Sequence, residues 1–261
     1  MKFPAPIRIP GVPLPLLRAG THPCPYLPGR TASDLVALSA QVDSATYQLL
    51  MDRGFRRSGD VIYKPDCPAC RECVPIRVPV DRFVPSRSQR RALRKNQDLT
   101  IETGPPQCDD ERYALFERYQ TAQHDGKMLD GRDEYRRFLC ESPIDTLEIS
   151  YRTPAARRDA DSLGASGRGR LVGVGIVDLT PQVISSVYFY FDPSEAQRSL
   201  GVFSALFEIE LCRRMGKRWW YVGFHVRGCR KMEYKADYRP HELLRPDGTW
   251  GEPRVADADE P

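Results

Sequence analysis

Apolar positions recur at helical spacing between Asp43 and Arg53, where Tyr47, Leu50 and Met51 share a face and Gly54 supplies a stop, so a short helix is predicted there. The run Val74-Pro-Ile-Arg-Val-Pro-Val80 alternates and is rich in β-branched residues. Its two prolines cannot donate to a ladder and predict an edge strand. Ser86 to Gln97 is compatible with a helix. A strand near Leu99 to Glu102 and a Gly-Pro-Pro break at Gly104 to Pro106 precede two helices expected around Asp110 to Gln123 and Arg132 to Cys140. Two β-like runs, Thr146 to Tyr151 and Leu171 to Asp178, lead to a strong strand at Ile184 to Phe191 and an Asp-Pro turn. Then come a helix from about Leu200 to Met215, a strand at Trp219 to Phe224 and a short helix near Cys229 to Lys235.

This is an α/β (α+β) pattern, a mixed, mainly antiparallel sheet flanked by helices, and strand, loop, helix, strand is the order of an acyl-transfer core. Three segments break the periodicity. Pro4, Pro6, Pro10, Pro13 and Pro15 make the first residues an extended, draped arm. Arg152 to Arg170, rich in Arg, Ala, Gly, Ser and Asp, reads as a long mobile hairpin loop. The tail from Glu252 is acidic and reads as disordered. The predicted division is a cysteine-bearing, basic N-terminal domain at 1–98, a transferase-like domain at 99–251, and the tail at 252–261.

Composition narrows the class. The chain has 261 residues, 41% of them hydrophobic and 10% aromatic, enough to bury a core, which excludes wholesale disorder. A formal charge of +4 is compatible with a polyanionic partner without requiring one. The start lacks a signal-type apolar core, and nothing approaches the ~20 apolar residues of a spanning helix. A soluble cytoplasmic protein with no membrane partner is expected.

Eight cysteines without a secretory signal read as thiols or metal ligands. Cys67, Cys70 and Cys73 lie at i, i+3 and i+6 and, with Cys24, supply four thiolates, enough for tetrahedral zinc or an iron-sulfur cluster. Buried thiols acting as small core residues are the equally weighted reading. Cys108, Cys140, Cys212 and Cys229 are expected in the core.

Two constellations point to chemistry. The stretch from Tyr188 to Gly201 delivers a strand to a loop with Arg198 and Gly201 and then to a helix N-terminus, which forms an anion cradle of backbone donors and dipole. Many αβ proteins share that order. Between Trp219 and Arg245, Trp219, Trp220, Tyr221, Phe224, Tyr234 and Tyr238 interleave with Arg227, Arg230, Lys231, Lys235 and Arg239, offering stacking faces and phosphate partners. A core strand with a solvated cationic face is the rival reading.

The resemblance that these residues carry is specific. Ser199-Leu-Gly201, Gly223-Phe-His-Val-Arg-Gly-Cys-Arg-Lys-Met-Glu-Tyr-Lys235, Tyr238-Arg-Pro240 and Glu242-Leu-Leu244 resemble the C-terminal signature of the arginyl-tRNA-protein transferase family. Cys24-Pro-Tyr-Leu27, Gly54-Phe-Arg-Arg-Ser-Gly59, Ile62-Tyr-Lys-Pro65, Cys70-Arg-Glu-Cys-Val-Pro-Ile-Arg77 and Phe83-Val-Pro-Ser-Arg-Ser-Gln-Arg-Arg91 are similar to its bacterial branch, the aspartate/glutamate leucyltransferases.

The resemblance implies a GNAT-like fold. It also implies transfer of leucine from leucyl-tRNA to proteins beginning with Asp or Glu, which marks them for N-end-rule degradation. An aminoacyl ester is already activated, so the chemistry needs a neutral amine aimed at the ester carbonyl and a stabilised oxyanion, with no obligatory cofactor. On this reading Arg198, Ser199, Leu200 and Gly201 cradle the 3′-terminal phosphate, and Tyr190, Tyr221 and Tyr234 line the reaction pocket. Lys231 and Lys235 bind phosphate or the acceptor carboxylate, and Asp192 accepts the proton. Arg87, Arg90, Arg91 and Arg94, in the densest positive cluster of the chain, face the tRNA backbone. Relatives carry a C-x-x-C pair at the N-terminal site, whereas here Leu27 follows Cys24 at that spacing. The alternatives are an acyl-CoA-dependent N-acetyltransferase, which leaves the N-terminal half without a task, and a non-catalytic metal- or nucleic-acid-binding module, which leaves the C-terminal half without one.

Overall fold

The computed structural model describes residues 14–38, 42–124, 126, 131–155 and 168–253. The predicted arm up to Pro13, most of the predicted long loop (156–167) and the tail from 254 lie outside them. β1 (Leu17–Arg18), β2 (His22–Pro23), β3 (Thr31–Ala32) and β4 (Asp34–Leu38) lead to helix α1 (Ser44–Asp52) and the hairpin β5 (Arg56–Ser58) and β6 (Val61–Pro65). Strands β1, β4, β6 and β5 form one antiparallel sheet in that order. The Asp43 carboxylate starts α1 by accepting the Thr46 amide at 2.7 Å, and Gly54, at φ +90°, follows its end.

Next come β7 (Val74–Pro79) and α2 (Arg87–Lys95), the latter opened by a reciprocal capping box between Ser86 and Gln89. They are followed by β8 (Thr100–Gly104), α3 (Asp110–His124), α4 (Arg132–Tyr135), which runs into a π turn ending at Cys140, and β9 (Thr146–Arg152). The hairpin β10 (Leu171–Leu179) and β11 (Val183–Phe191), a 3-10 turn at Pro193–Arg198, α5 (Leu200–Arg214) and β12 (Trp219–His225) form the centre of the molecule. α6 (Arg230–Glu233), which continues as a 3-10 turn at Tyr234–Asp237, then β13 (Glu242–Leu244) and β14 (Trp250–Gly251) complete it.

Eight strands make the main sheet, in the order β14-β13-β7-β12-β11-β10-β9-β8, and only β11 and β12 pair in parallel. The order corrects one expectation, because β7 lies inside the sheet rather than at an edge. Its prolines are tolerated there because β13 pairs only with Ile76 and Arg77, between Pro75 and Pro79, while β12 shifts register beside Pro75. The sheet also runs across the division expected near residue 99, since β7 sits between strands from the far end of the chain.

Neighbouring residues of the central strands feed opposite faces. Ile184 and Trp220 pack with Phe203, Leu206 and Ile209 of α5, on which α2 leans. On the other face Val174, Ile176 and Tyr190 meet Leu115 and Phe116 of α3 and Tyr135 of α4. Beside them Val183 and Tyr221 meet Tyr47 and Leu50 of α1 and Ile62 of β6. A buried ion pair docks the smaller sheet on the larger, with the Arg57 guanidinium donating to both carboxylate oxygens of Asp178 at 2.9 and 2.7 Å.

Candidate active site

The parallel pairing of β11 and β12 is brief. It covers Val183 to Ser185 against Trp219 to Tyr221 and then stops, although β11 continues to Phe191 and β12 to His225. The facing edges of Ser186 and Val222 onward therefore take no part in a shared ladder, and the sheet has a gap at its centre.

Glu208 of α5 lies under this gap. Its carboxylate accepts Trp220 Nε1–H at 2.8 Å and the Ser204 hydroxyl at 3.2 Å, and the Tyr151 hydroxyl donates to Ser204 at 3.0 Å. Burial raises the Glu208 pKa from the usual carboxylate range to about 7, against the opposing hydrogen bonds from Trp220, Ser186 and Ser204. Tyr234, from the turn after α6, is 49% exposed, with the rest of its surface covered. Burial and then the Glu208 charge push its pKa up to about 12. Glu208, absent from the residues singled out above, carries one signal in the sequence, a carboxylate on the apolar stripe of its helix, four residues after Ser204.

The neighbouring residue, Lys235, turns the other way. It is buried, and its Nζ donates to the Phe224 carbonyl at 3.0 Å and approaches Met232 Sδ at 3.5 Å. Burial and then the nearby Arg56 guanidinium lower its pKa to about 7. Arg56 donates to the Gly223 carbonyl at 3.2 Å, so both cations end on consecutive carbonyls of β12, at the register shift between Tyr221 and Phe224. Gly223 has φ +89°, and a Cβ there would stand 3.2 Å from Lys235 Nζ.

The other expected site residues divide sharply. Tyr190 is fully buried under α3, hydrogen-bonded to the Tyr135 hydroxyl at 2.9 Å, and belongs to the core rather than to a pocket. Tyr221 is likewise buried, its hydroxyl donating to Asp52 and accepting from Arg77 at 3.1 Å. Asp192 caps its 3-10 turn by accepting the Ser194 amide and hydroxyl at 3.0 and 2.7 Å, and it pairs with Arg170 at 2.6 Å. Burial works to raise its pKa, but these hydrogen bonds and the charges of Arg170 and Arg118 hold it below the usual carboxylate value, so it is ionised and only weakly basic near neutrality.

Arg198 spends its guanidinium on Asp98, at 2.8 and 3.0 Å, on Glu195 at 2.7 Å and on the Lys95 carbonyl at 3.2 Å, so it braces the loop instead of waiting for a phosphate. Leu200 is core, and Ser199, at φ 58°, makes no side-chain cap. What is left of the predicted cradle is Ser199 and Gly201, both exposed, and the first amides of α5, which like those of any helix start have no intrahelical acceptor.

Lys231 is exposed on α6. Arg87, Arg90, Arg91 and Arg94 are exposed on α2 and make no ion pair among the described residues, while buried Gln89 fixes the helix by donating to the Asp237 carbonyl at 3.2 Å. Lys95 donates to the Gln197 carbonyl at 2.7 Å, so this cationic face adjoins the start of α5.

Cys24, Cys67 and Cys70 lie near Cys73, whose thiol burial, and then those neighbours, push up to about 12. As arranged, three of the four sulfurs have hydrogen-bond partners of their own. The Cys24 sulfur takes the Leu27 amide at 3.4 Å, that of Cys70 takes Arg30 at 3.1 Å, and Cys67 leans on the Ser33 carbonyl at 3.8 Å. No group of three or more His, Cys, Asp or Glu side chains converges on a metal position among the described residues. Of the remaining cysteines Cys212 is buried, while Cys108, Cys140 and Cys229 are partly exposed rather than core.

Two surface hollows lie elsewhere. One, of about 700 Å³, is bordered by Asp43, Asp145 and Lys217, and the other, of about 520 Å³, by Phe83, Leu93 and Phe207; neither includes a residue of the gap.

Residues 22–91 match the family description "Arginine-tRNA-protein transferase, N terminus", and residues 111–245 match "Arginine-tRNA-protein transferase, C terminus". The chain is 40% identical over 234 residues to an aspartate/glutamate leucyltransferase of Saccharophagus degradans, covering 88% of this chain and 94% of that one. It is 42% identical over 235 residues to the protein of the same name from Aeromonas hydrophila, covering 88% and 91%. Among solved structures, FemX aligns with a TM-score of 0.46 at 11% identity, over 71% of this chain and 61% of that one.

Proposed function

The chain belongs to the arginine-tRNA-protein transferase family, and from that premise we propose that it moves leucine from leucyl-tRNA to the α-amine of proteins that begin with Asp or Glu. Aminoacyl transfer from a tRNA to a protein follows from the family. Leucine and the acidic acceptor follow from the relatives that share about 40% of its residues. The product begins with leucine and is thereby marked for degradation by the N-end rule, and the donor makes the cytoplasm the place of action. No helix among the described residues is long and apolar enough to cross a membrane.

The observation that carries a mechanism is the end of the β11–β12 ladder above a buried carboxyl that titrates near neutrality. The acceptor amine attacks the ester carbonyl in the gap, so the new amide C–N bond replaces the C–O bond to the terminal ribose. Glu208 takes the proton from the attacking amine and returns it to the departing ribose oxygen. Tyr234, protonated throughout the neutral range, donates to the carbonyl oxygen as it gains charge. The α2 cations and the first amides of α5 hold the tRNA end through its phosphates. A brief parallel pair whose two strands are joined by a helix, here β11, α5 and β12, is the arrangement a GNAT-like acyltransferase uses, and it supports this reading of the fold.

One assay tests donor and acceptor together, offering labelled leucyl-tRNA, arginyl-tRNA or acetyl-CoA with peptides beginning in Asp, Glu, Lys or Arg. Transfer of leucine to Asp and Glu peptides is expected. Preference for arginyl-tRNA would overturn the donor assignment, and acetylation would overturn the reading as a whole.

A further inference from the structure

Wherever else an arginine is buried among the described residues, a carboxylate meets it. Arg57 has Asp178, Arg112 has Glu148 and Arg152 has Glu111, each within 2.7 Å. Arg56 is the exception. It is 4% exposed, its guanidinium lies 5.1 Å from the ring centre of Tyr221 and 5.5 Å from that of Phe224, and among the described residues it donates only to the carbonyls of Met51, Phe55 and Gly223. Its Nε has no hydrogen-bond partner among the described residues. Lys235, whose Nζ ends on the next carbonyl of β12, also makes no ion pair among them.

The acid that acts on Arg56 is Asp52, already held by the Tyr221 hydroxyl and approached by Arg77 at 3.9 Å. Cys73, which faces Lys235, is no countercharge, since its thiol is pushed up to about 12. Two buried cationic side chains side by side, with no carboxylate between them among the described residues, are costly to keep charged, and Lys235 takes up its full charge only where something supplies the anion.

We propose that Arg56 and Lys235 are the receptor for the side-chain carboxylate of the acceptor's first residue. The inference rests on the transferase reading and adds how an acidic N-terminus is selected. The turn after α6 places Tyr234 toward Glu208 and Lys235 toward Arg56, so one acceptor residue presents its amine to the former pair and its carboxylate to the latter. Gly223 keeps the approach to Nζ clear, because any side chain there begins 3.2 Å from it. An Asn or Gln acceptor brings no charge and leaves both cations unpaired.

The test is kcat/KM at saturating leucyl-tRNA for peptides beginning Asp, Asn, Glu and Gln, with Lys235→Met, Arg56→Met and the conservative Lys235→Arg. In the two Met variants the Asp-to-Asn ratio should fall roughly 10- to 100-fold, the scale of a charge-assisted hydrogen bond, mainly through KM, and Lys235→Arg should restore part of it. A variant that keeps the wild-type ratio, or loses both acceptors in equal proportion, overturns the proposal. Should the Met variants fail to fold, the wild-type protein decides. An Asp peptide, but not an Asn peptide, should move the Lys235 titration, read by NMR of labelled lysine, upward by about a unit. No movement overturns the assignment. Wild-type protein that transfers leucine to neither peptide refutes the transferase reading itself, a separate outcome.

Discussion

Glu208→Gln removes a titrating proton while keeping the shape and most of the bonding of the side chain. The amide oxygen still accepts Trp220 Nε1–H, which the carboxylate meets at 2.8 Å, and the amide nitrogen still reaches Ser204, 3.2 Å from the carboxylate. In the folded protein this carboxyl holds its proton up to about pH 7, whereas in the unfolded chain it releases it near 4.5, so the folded state binds more protons in between. Stability from this group is therefore full below about pH 4.5 and is lost as pH rises to about 7, by roughly 3 kcal/mol at 1.36 kcal/mol per unit. Urea unfolding at pH 5 and pH 7.5 should show that loss in the wild type and not in Glu208→Gln. The transfer rate should fall about 10²- to 10⁴-fold in the variant, the usual contribution of a positioned base, and the limb of the wild-type pH profile that rises near 7 should disappear. Single-turnover transfer from labelled leucyl-tRNA reads the rate. A Glu208→Gln protein that keeps the wild-type rate and the same limb refutes the assignment of the base, and one that keeps the stability slope refutes the assignment of the raised pKa.

Arg57→Ala strands the Asp178 carboxylate in the core, since both side chains are at most 1% exposed, and should cost about 3–5 kcal/mol in urea unfolding. Reversing Arg90, Arg91 and Arg94 to Glu should raise KM for charged tRNA and flatten the dependence of log KM on log salt by roughly one per lost phosphate contact, with no change for the peptide acceptor. Asp192→Asn should transfer leucine within about twofold of the wild-type rate and lose about 1 kcal/mol of stability, as a cap does, because its carboxylate serves Ser194 and Arg170. Residues 99–253 expressed alone should lack a cooperative unfolding transition, since β13 and β14 would lose β7, the strand that joins them to β12; a sharp transition with native near-UV signal would show that half to be independent.

The elements were legible where periodicity and caps agree. Ser86 and Gln89 announce α2, the Asp-Pro step ends β11 one residue earlier, and Tyr47, Leu50 and Met51 show the inner face of α1. What pattern could not reveal is which partner a strand takes. Two prolines in Val74 to Val80 argue for an edge, yet a short neighbour that spans only the residues between them lets β7 sit inside the sheet. The candidate site followed the same logic. Tyr190 and Tyr221 lie in aromatic, signature-rich stretches, and their burial under α3 and α1 depends on packing from chain segments tens of residues away. Arg198 reads as a phosphate ligand until Asp98 is seen to hold it.

Arg56 and Arg57 stand next to each other on β5, and alternation along a strand would expose one of them. Both are buried, and both reach the main sheet, Arg56 at β12 and Arg57 at β10. Their fates differ in a way that ties fold to selectivity. Arg57 meets Asp178 and docks the small sheet, and that docking sets where Arg56, one residue earlier, is delivered against β12. Weakening the dock should then loosen discrimination between Asp and Asn acceptors before it abolishes transfer, because Glu208 and Tyr234 are placed by α5 and by the turn after α6, neither of which Arg57 touches. On the proposal above, the N-terminal half enters acceptor selection through β5, as the carrier of a cation whose partner arrives with the substrate.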